Sequence, residues 1–437
     1  MFEIREKPEM VERAMLVSIY FDPSEAGEKQ AMLDELEDLV SNLGIGIAGK
    51  HLIKSRDMHA KFLCGTGKAQ EVKQLALDCR ADCVVFDNML SPSQQREWER
   101  LVDECVIDRE EVILDIFARR ARTREATLQV ELARMQYSLP RMARMWNHLD
   151  RQGGGSGGGK GGGGAARGEG EKQIEVDRRL ARARIEAIQR ELVLVTRQRA
   201  TQRKERERQA VATAAIVGYT NAGKSSLLSL VSGSEVMARD MLFATLDTTT
   251  RKIELPHGQP LLLTDTVGFI RNLPHRLVEA FKSTLEEAVL ADFLIQVVDA
   301  SDPEAVRHYE TTLEVLDELG AGDKPMVVVL NKVDLVPEER RGALETLLAP
   351  HFSGRVVAMS VKEGNGAGDL LNACVEMLES RVRRARFLIP YTRSDLVAAM
   401  HSEGKVFSTE YVEEGTLLEA VLPVAFYNKL GSFLADR

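Results

Sequence analysis

The sequence predicts an α/β protein of several domains, organised around a mainly parallel sheet and ending in a small α+β domain. Three observations carry this. From Thr213 onward, strand-like apolar runs (TAAIV, LLLTD, FLIQVVD, MVVVLN, VVAM) alternate with helical patterns, the signature of βα units whose sheet is covered on both faces. The first stretch repeats that mixture on a smaller scale, whereas the stretch between turns helical without strand signals. At 437 residues the chain has the length of about three domains.

Residues 1–113 read as an N-terminal α/β domain. AMLVSIYF (14–21), CVVFD (83–87) and a short KFLCG segment are strand-like, and Gln30–Leu43 and Gln94–Glu104 have helical spacing. Residues 114–209 read as a helical hairpin whose second arm, from Gln173 to Arg208, is long and Arg-rich. Between its arms lies GGGSGGGKGGGGAARGEG, residues 153–170, with glycine at 12 of 18 positions. Such a tract has no side chains to bury against the entropy of ordering its backbone. Two readings stay open: a passive linker, or a tip that inserts where a bulky side chain would not fit. Residues 210–384 carry the central βα units. Residues 385–437 close the chain, with TLLEAVL (416–422) strand-like and AFYNKLGSFL helical.

Composition narrows the function classes. Hydrophobic residues at 44% and charged residues at 29% exclude a wholly disordered or collagen-like chain. No apolar run reaches the ~18 residues that cross a bilayer, and the charged start MFEIREKPEMVERAM is unlike a signal peptide, so the expectation is cytoplasmic, without integral membrane insertion. Five cysteines at non-repeating spacings, and histidines in no metal-binding pattern, predict free thiols and no zinc site. CGTGK, Cys64 to Lys68, lacks the spacing of a phosphate loop and reads as a turn into a helix. Trp98 and Trp146 read as packing or interface residues.

The net charge of −9 hides an asymmetry. Residues 115–208 carry 22 Lys+Arg against 12 Asp+Glu, and the remainder 36 against 55. That segment is a footprint for nucleic-acid phosphates or a solvated helical face. With no amphipathic membrane helix and no lipidation motif, it favours RNA over membrane.

The chemistry begins after TAAIV, where Gly218, Tyr219, Thr220, Asn221, Ala222, Gly223, Lys224 and Ser225 spell G-x-x-x-x-G-K-[ST] between a strand and a helix. Here backbone N–H groups cradle a β-phosphate, Lys224 stabilises β and γ oxygens, and Ser225 ligates Mg²⁺. NKVD (Asn331, Lys332, Val333, Asp334) ends a later strand. The Asp334 carboxylate accepts from guanine N1–H and the 2-amino group while Asn331 meets the other edge, which selects guanine over adenine. Between them DTVG (Asp265, Thr266, Val267, Gly268) places a carboxylate near Mg²⁺ and an amide near the γ-phosphate. SVK (Ser360, Val361, Lys362) follows the last strand and backs the base, and the Thr-rich LFATLDTTTR (242–251) can supply a second metal-ligating hydroxyl. This order is that of a central Ras-like P-loop GTPase domain. The position that holds a water-orienting glutamine in Ras-like enzymes is Phe269, so no catalytic glutamine is identified and intrinsic hydrolysis is expected to be slow. Phe269 reads equally as core packing or as a switch residue, and Asn221 reads first as a turn former, with a K⁺ ligand as the lesser alternative.

The chain resembles the HflX family of translational GTPases over nearly its whole length. The similarity rests on GYTNAGKS, FATLD, DTVGFIRNLPHRLVEAFKSTLEE, CGTGKAQEV, FDNMLSPSQQREWER, VIDREEVILDIFARRARTREATLQVELA and ARGEGEKQIEVDRR. The resemblance implies an N-terminal α/β domain with a helical hairpin, a central G domain, and binding to the large ribosomal subunit near its functional centre. The expected partners are GTP or GDP and that subunit with its rRNA, not DNA, for a monomeric chain with Mg²⁺ as cofactor. The resemblance also implies that GTP turnover is coupled to splitting or rescue of stalled ribosomes. The alternatives are a GTPase in ribosome assembly, RNA modification or membrane processes, and a nucleotide-gated adaptor that scarcely hydrolyses GTP. Matching FATLD (Phe243, Ala244, Thr245, Leu246, Asp247) makes Thr245 the switch-one threonine and pairs it with Ser225 on the metal, with Thr248, Thr249 and Thr250 as neighbours. The sequence departs from the family pattern in the expanded glycine tract, where Glu169 replaces a proline, and in Thr248, which follows FATLD in place of another.

Overall fold

The computed structural model describes residues 11–144, 175–195, 211–233, 242, 243, 245, 246, 248–256, 258–274, 282–348, 355–378 and 382–435. The glycine tract 153–170, Trp146, Ala244 and Asp247 lie outside them. The chain divides into two compact units, Met1–Val195 with Asn272–Phe281, and Thr196–Arg271 with Lys282–Arg437.

The first unit runs β1 (Arg13–Tyr20), α1 (Ala26–Asn42), β2 (Gly46–Lys54), α2 (Thr66–Cys79), β3 (Cys83–Phe86), α3 (Pro92–Val102), β4 (Cys105–Asp108), α4 (Arg109–Arg120), α5 (Arg124–Ser138) and a helix α6 over residues 175–195. The strands form a parallel sheet in the order β2-β1-β3-β4. Met15, Val17 and Ile19 of β1 pack with Val72 and Trp98 of α2 and α3, Trp98 lying against Phe62 and Phe86. KFLCG is a turn rather than a strand: the backbone of His59 and Leu63 pairs across it, and Leu63 takes φ 62°. Two strands have little sequence signal. β2 is a half-buried edge strand with Gly and Lys in it, and β4 has four residues.

Polar groups are buried where this sheet meets its helices. Arg109 pairs with Glu35 of α1 and, at 3.0 Å, with Asp87, whose side chain is 1% exposed. Asp108 ends β4 fully buried. It accepts from the N–H of Leu90 and Glu111 and from the Tyr137 hydroxyl at 3.0 Å, while Arg141 donates to the Leu90 carbonyl and lies 3.5 Å from the same carboxylate. Burial pushes the Asp108 carboxyl above the usual range against the charge of Arg141. Helices α5 and α6 face each other through Leu128, Leu132 and Ile188 and through the pairs Arg124–Glu191 and Arg184–Glu131, the hairpin that the sequence predicts.

The second unit holds a six-stranded sheet: β5 (Ala212–Gly218), α7 (Lys224–Ser232), β6 (Thr249–Glu254), β7 (Pro260–Asp265), α8 (Lys282–Leu290), β8 (Phe293–Asp299), α9 (Ala305–Glu318), β9 (Met326–Asn331), α10 (Glu338–Leu348), β10 (Val356–Ala358) and α11 (Ala367–Leu378). The order is β10-β9-β8-β5-β7-β6, parallel except for β6. The central strands are continuous apolar runs because both their faces are covered. β11 (Val382–Ile389), α12 (Ser394–Glu403), β12 (Lys405–Val412), β13 (Gly415–Pro423) and α13 (Val424–Lys429) add a three-stranded antiparallel sheet. AFYNKLGSFL is not one helix: α13 ends at Lys429 and a short 3₁₀ turn follows at Gly431–Phe433.

Candidate functional site

The motifs of the central sheet meet at the carboxyl edge of β5, β7, β9 and β10, where a parallel sheet opens a crevice. β5 delivers the chain into a tight loop. Gly218 takes φ 144°, and a Cβ there would run into the Val297 carbonyl; Gly223 takes φ 98°, and a Cβ there would strike the Asn331 amide. Asn221 takes φ 61°, a left-handed conformation that asparagine tolerates. α7 starts at Lys224 without a side-chain cap, so its first N–H groups remain available to an anion.

Lys224 is buried and donates to the Tyr219 carbonyl at 2.7 Å. Burial lowers its pKa to about 8, against the pull of the Asp265 charge. Folding without nucleotide therefore costs this lysine a proton between about pH 8 and 10.5, and stability in that window rises with pH. Phosphate charge would reverse the shift. GTP binding near pH 8.5 is expected to take up most of one proton, with affinity falling as pH climbs above about 8. Calorimetry in two buffers of different ionisation enthalpy measures that proton, and an uptake of zero would contradict the phosphate role of Lys224.

Beside it, three oxygens converge. Ser225 Oγ lies 2.5 Å from Thr245 Oγ1 and donates to Asp265 Oδ2 at 2.6 Å. Asp265 is 1% exposed, burial raises its carboxyl above the usual range, and its Oδ1 has no hydrogen-bond partner. Two hydroxyls and a carboxylate with an unsatisfied buried oxygen suit a hard, oxygen-seeking cation, so the donor set fits Mg²⁺. Thr249 and Thr250 are in β6 instead, Thr250 facing Thr264 at 2.9 Å, and Thr248 precedes them. Phe243 and Leu246 are buried.

The DTVG segment lies against the phosphate loop. Thr266 donates its hydroxyl to the Ile216 carbonyl, Val267 is buried, and a Cβ at Gly268 would come 2.9 Å from Lys224 Nζ. Phe269 continues the line of β7: its N–H donates to the Gly218 carbonyl and its carbonyl accepts from the Thr220 N–H. Its ring is 1% exposed, so the packing reading holds for this side chain.

The base motif is tied to its neighbours. Asn331 donates to the Ala222 carbonyl at 2.8 Å and accepts from the Val361 N–H at 3.1 Å, so its amide joins two backbone segments and keeps a second N–H and a second lone pair. Lys332 takes φ 62° and pairs with Asp299 at 2.6 Å. That turn leads into the 3₁₀ helix Val333–Leu335, which leaves Asp334 exposed. Ser360 is buried and accepts from the Glu363 N–H, Val361 is half-buried, and Lys362 is exposed. Sequence reasoning missed Asp299, whose place at the end of a central strand was the available signal. It also missed His308, which stacks on Tyr219 and belongs to no motif. Among the described residues there is no cluster of three His, Cys, Asp or Glu able to hold a metal, and no helix long and apolar enough to cross a membrane.

Three family-wide sequence patterns match the chain: GTP-binding GTPase N-terminal over residues 30–118, GTP-binding GTPase Middle Region over 120–206, and 50S ribosome-binding GTPase over 213–332. A curated GTPase HflX from Akkermansia muciniphila is 99% identical over 437 residues, covering 100% of both chains. GTPase HflX from Escherichia coli K12 is 39% identical over 421 residues, covering 96% of this chain and 95% of its own. A GTP-binding protein from Sulfolobus solfataricus, solved with GDP, is 23% identical with a TM-score of 0.42, covering 84% of this chain and 99% of that one. Full-length similarity of this degree means that the chain belongs to the HflX family of GTPases, enzymes that bind and hydrolyse GTP.

Proposed function

We propose that this GTPase acts on the large ribosomal subunit and couples GTP to the splitting or rescue of stalled ribosomes. The observation that carries the reading is the match to 50S ribosome-binding GTPases over residues 213–332, the stretch that contains the phosphate loop and DTVG and ends inside the base motif. The Arg-rich segment 115–208, within the four-part division at residues 113, 209 and 384, supports it with an excess of positive charge suited to rRNA phosphates.

In this reading residues 218–225 hold the phosphates and Lys224 counters the charge on the β and γ oxygens. Ser225 and Thr245 ligate Mg²⁺, and Asp265 orients its water. When bound, the ion supplies charge neutralisation at the transferring phosphoryl group. The Gly268 amide donates toward the γ-phosphate, Asp334 accepts from guanine, and residues 360–362 close the pocket behind the base. Asn221 is the K⁺ ligand, if that ion is used. With Phe269 in the core, no side chain at that position orients the attacking water, so hydrolysis is slow until the ribosome orders the switches.

Co-sedimentation with large subunits tests the reading. Binding should be stronger with a non-hydrolysable GTP analogue than with GDP and should fall steeply with salt. Replacing Arg178, Arg179 and Arg182 by glutamine should flatten the salt slope without changing GTP affinity. Arg184 is left intact because it holds Glu131 across the hairpin. Light scattering of intact ribosomes then separates splitting from an assembly role. Equal binding with both nucleotides and no salt dependence would refute the proposal.

A further inference from the structure

One side chain of the phosphate loop is turned away from the phosphates. Tyr219 is 6% exposed, and its phenol oxygen accepts from the Arg271 N–H at 2.9 Å. Its ring stacks flat on the His308 imidazole, centroids 3.7 Å apart and planes 7° from parallel. His308 stands in the first turn of α9 with its Nδ1 3.5 Å from Asp302, and Arg271 reaches Glu304, just before that helix, also at 3.5 Å. The start of α9 thus meets the segment after DTVG by two routes.

The backbone between explains what this stack does. Residues 218–220 and 269 are zipped by the bonds from Phe269 N–H to Gly218 and from Thr220 N–H to Phe269, and the Arg271 N–H extends that ladder by one rung to the Tyr219 phenol. Beyond it the chain turns, with Asn272 at φ 52°. A phenol oxygen lies where its ring is held, and the ring is held by the imidazole. Loss of the stack frees the last rung and leaves the two bonds at Phe269 as the restraint on Gly268, which sits so close to Lys224 and Thr220 that there is no room even for a Cβ.

We infer that His308 is a positioning residue for GTP hydrolysis: it fixes Tyr219, and through the Arg271 amide it sets the start of switch two on the phosphate loop. The inference rests on the assignment of Gly218–Ser225 and Gly268 to the phosphates. His308 meets the phosphate loop at the Tyr219 ring, on the side turned away from the phosphates, so its removal should act on turnover and not on nucleotide affinity.

Single-turnover GTP hydrolysis by the full chain, together with titration of mant-GTP and mant-GDP, tests this. His308→Ala should lower the hydrolysis rate about tenfold, as a small misplacement does, while both affinities stay within about twofold. His308→Phe, which keeps a stacking ring, should restore the rate, and His308→Asn, which keeps polarity toward Asp302 without a ring, should not. Tyr219→Phe, which keeps the ring but removes the acceptor, should slow hydrolysis, and combining it with His308→Ala should add nothing further. A parent-like rate for His308→Ala, a phenylalanine variant as slow as the asparagine variant, or multiplying effects in the double variant would overturn the inference. If the alanine variant fails to bind mant-GTP, the rates of the phenylalanine and asparagine variants decide in its place. Failure of the parent chain's Lys224→Ala variant to lose mant-GTP would instead refute the phosphate-loop assignment.

Discussion

Asp334→Asn should cost about 2 to 5 kcal/mol of GTP affinity, a loss of roughly 30- to 5,000-fold, the largest expected effect on binding of any single substitution in the base motif. The carboxylate is expected to accept from guanine N1–H and the 2-amino group. Asparagine turns a donor amide toward those donors and leaves two of them unpaired in a partly desolvated pocket. Xanthine, which presents a carbonyl where guanine has the amino group, should bind the variant better than the parent. The backbone that presents Asp334 does not depend on its side chain, because Lys332 sets the turn and is anchored on Asp299. Titration with mant-GTP and mant-XTP reads both effects, and unchanged GTP affinity would remove NKVD from the site.

Arg109→Ala should lower the stability of the N-terminal unit by about 3 to 5 kcal/mol. The guanidinium is 2% exposed and faces Glu35 and Asp87, which are themselves 10% and 1% exposed. Two carboxylates would lose the cation that balances them with no water to replace it. Because the penalty is uncompensated charge, Arg109→Met combined with Glu35→Met and Asp87→Leu should recover most of the loss. Urea unfolding followed by tryptophan fluorescence measures it, since Trp98 is fully buried in the same unit. A midpoint unmoved in Arg109→Ala would mean that the three charges are not coupled.

The phosphate and DTVG motifs were legible in the sequence because fixed spacing between a strand and a helix is itself the chemistry: backbone N–H groups converge only if the turn is that short. The central strands were legible for a related reason, since burial on both faces writes a continuous apolar run. β2 and β6 escaped because an edge strand such as GIAGKHLIK or TTRKIE buries little and keeps its lysines. KFLCG misled because an apolar cluster closed by a tight turn has a strand's composition without its extent. Asn331 was assigned to the base from its motif alone, and its ties to Ala222 and Val361 had no sequence signal because they join residues far apart in the chain. The stack of Tyr219 on His308 joins residues from separate elements by ring geometry, which leaves no periodic trace.

The buried Asp108 has a mechanical consequence. It grips Tyr137 and Arg141, at the end of α5 from which the chain leaves toward residue 145, while Arg124, at the opposite end of the same helix, is held by an exposed pairing with α6. The hairpin is therefore clamped at the end that feeds the glycine tract. A load applied beyond residue 144 arrives first at a root built into the four-stranded sheet, and so reaches that sheet before it reaches the body of α5.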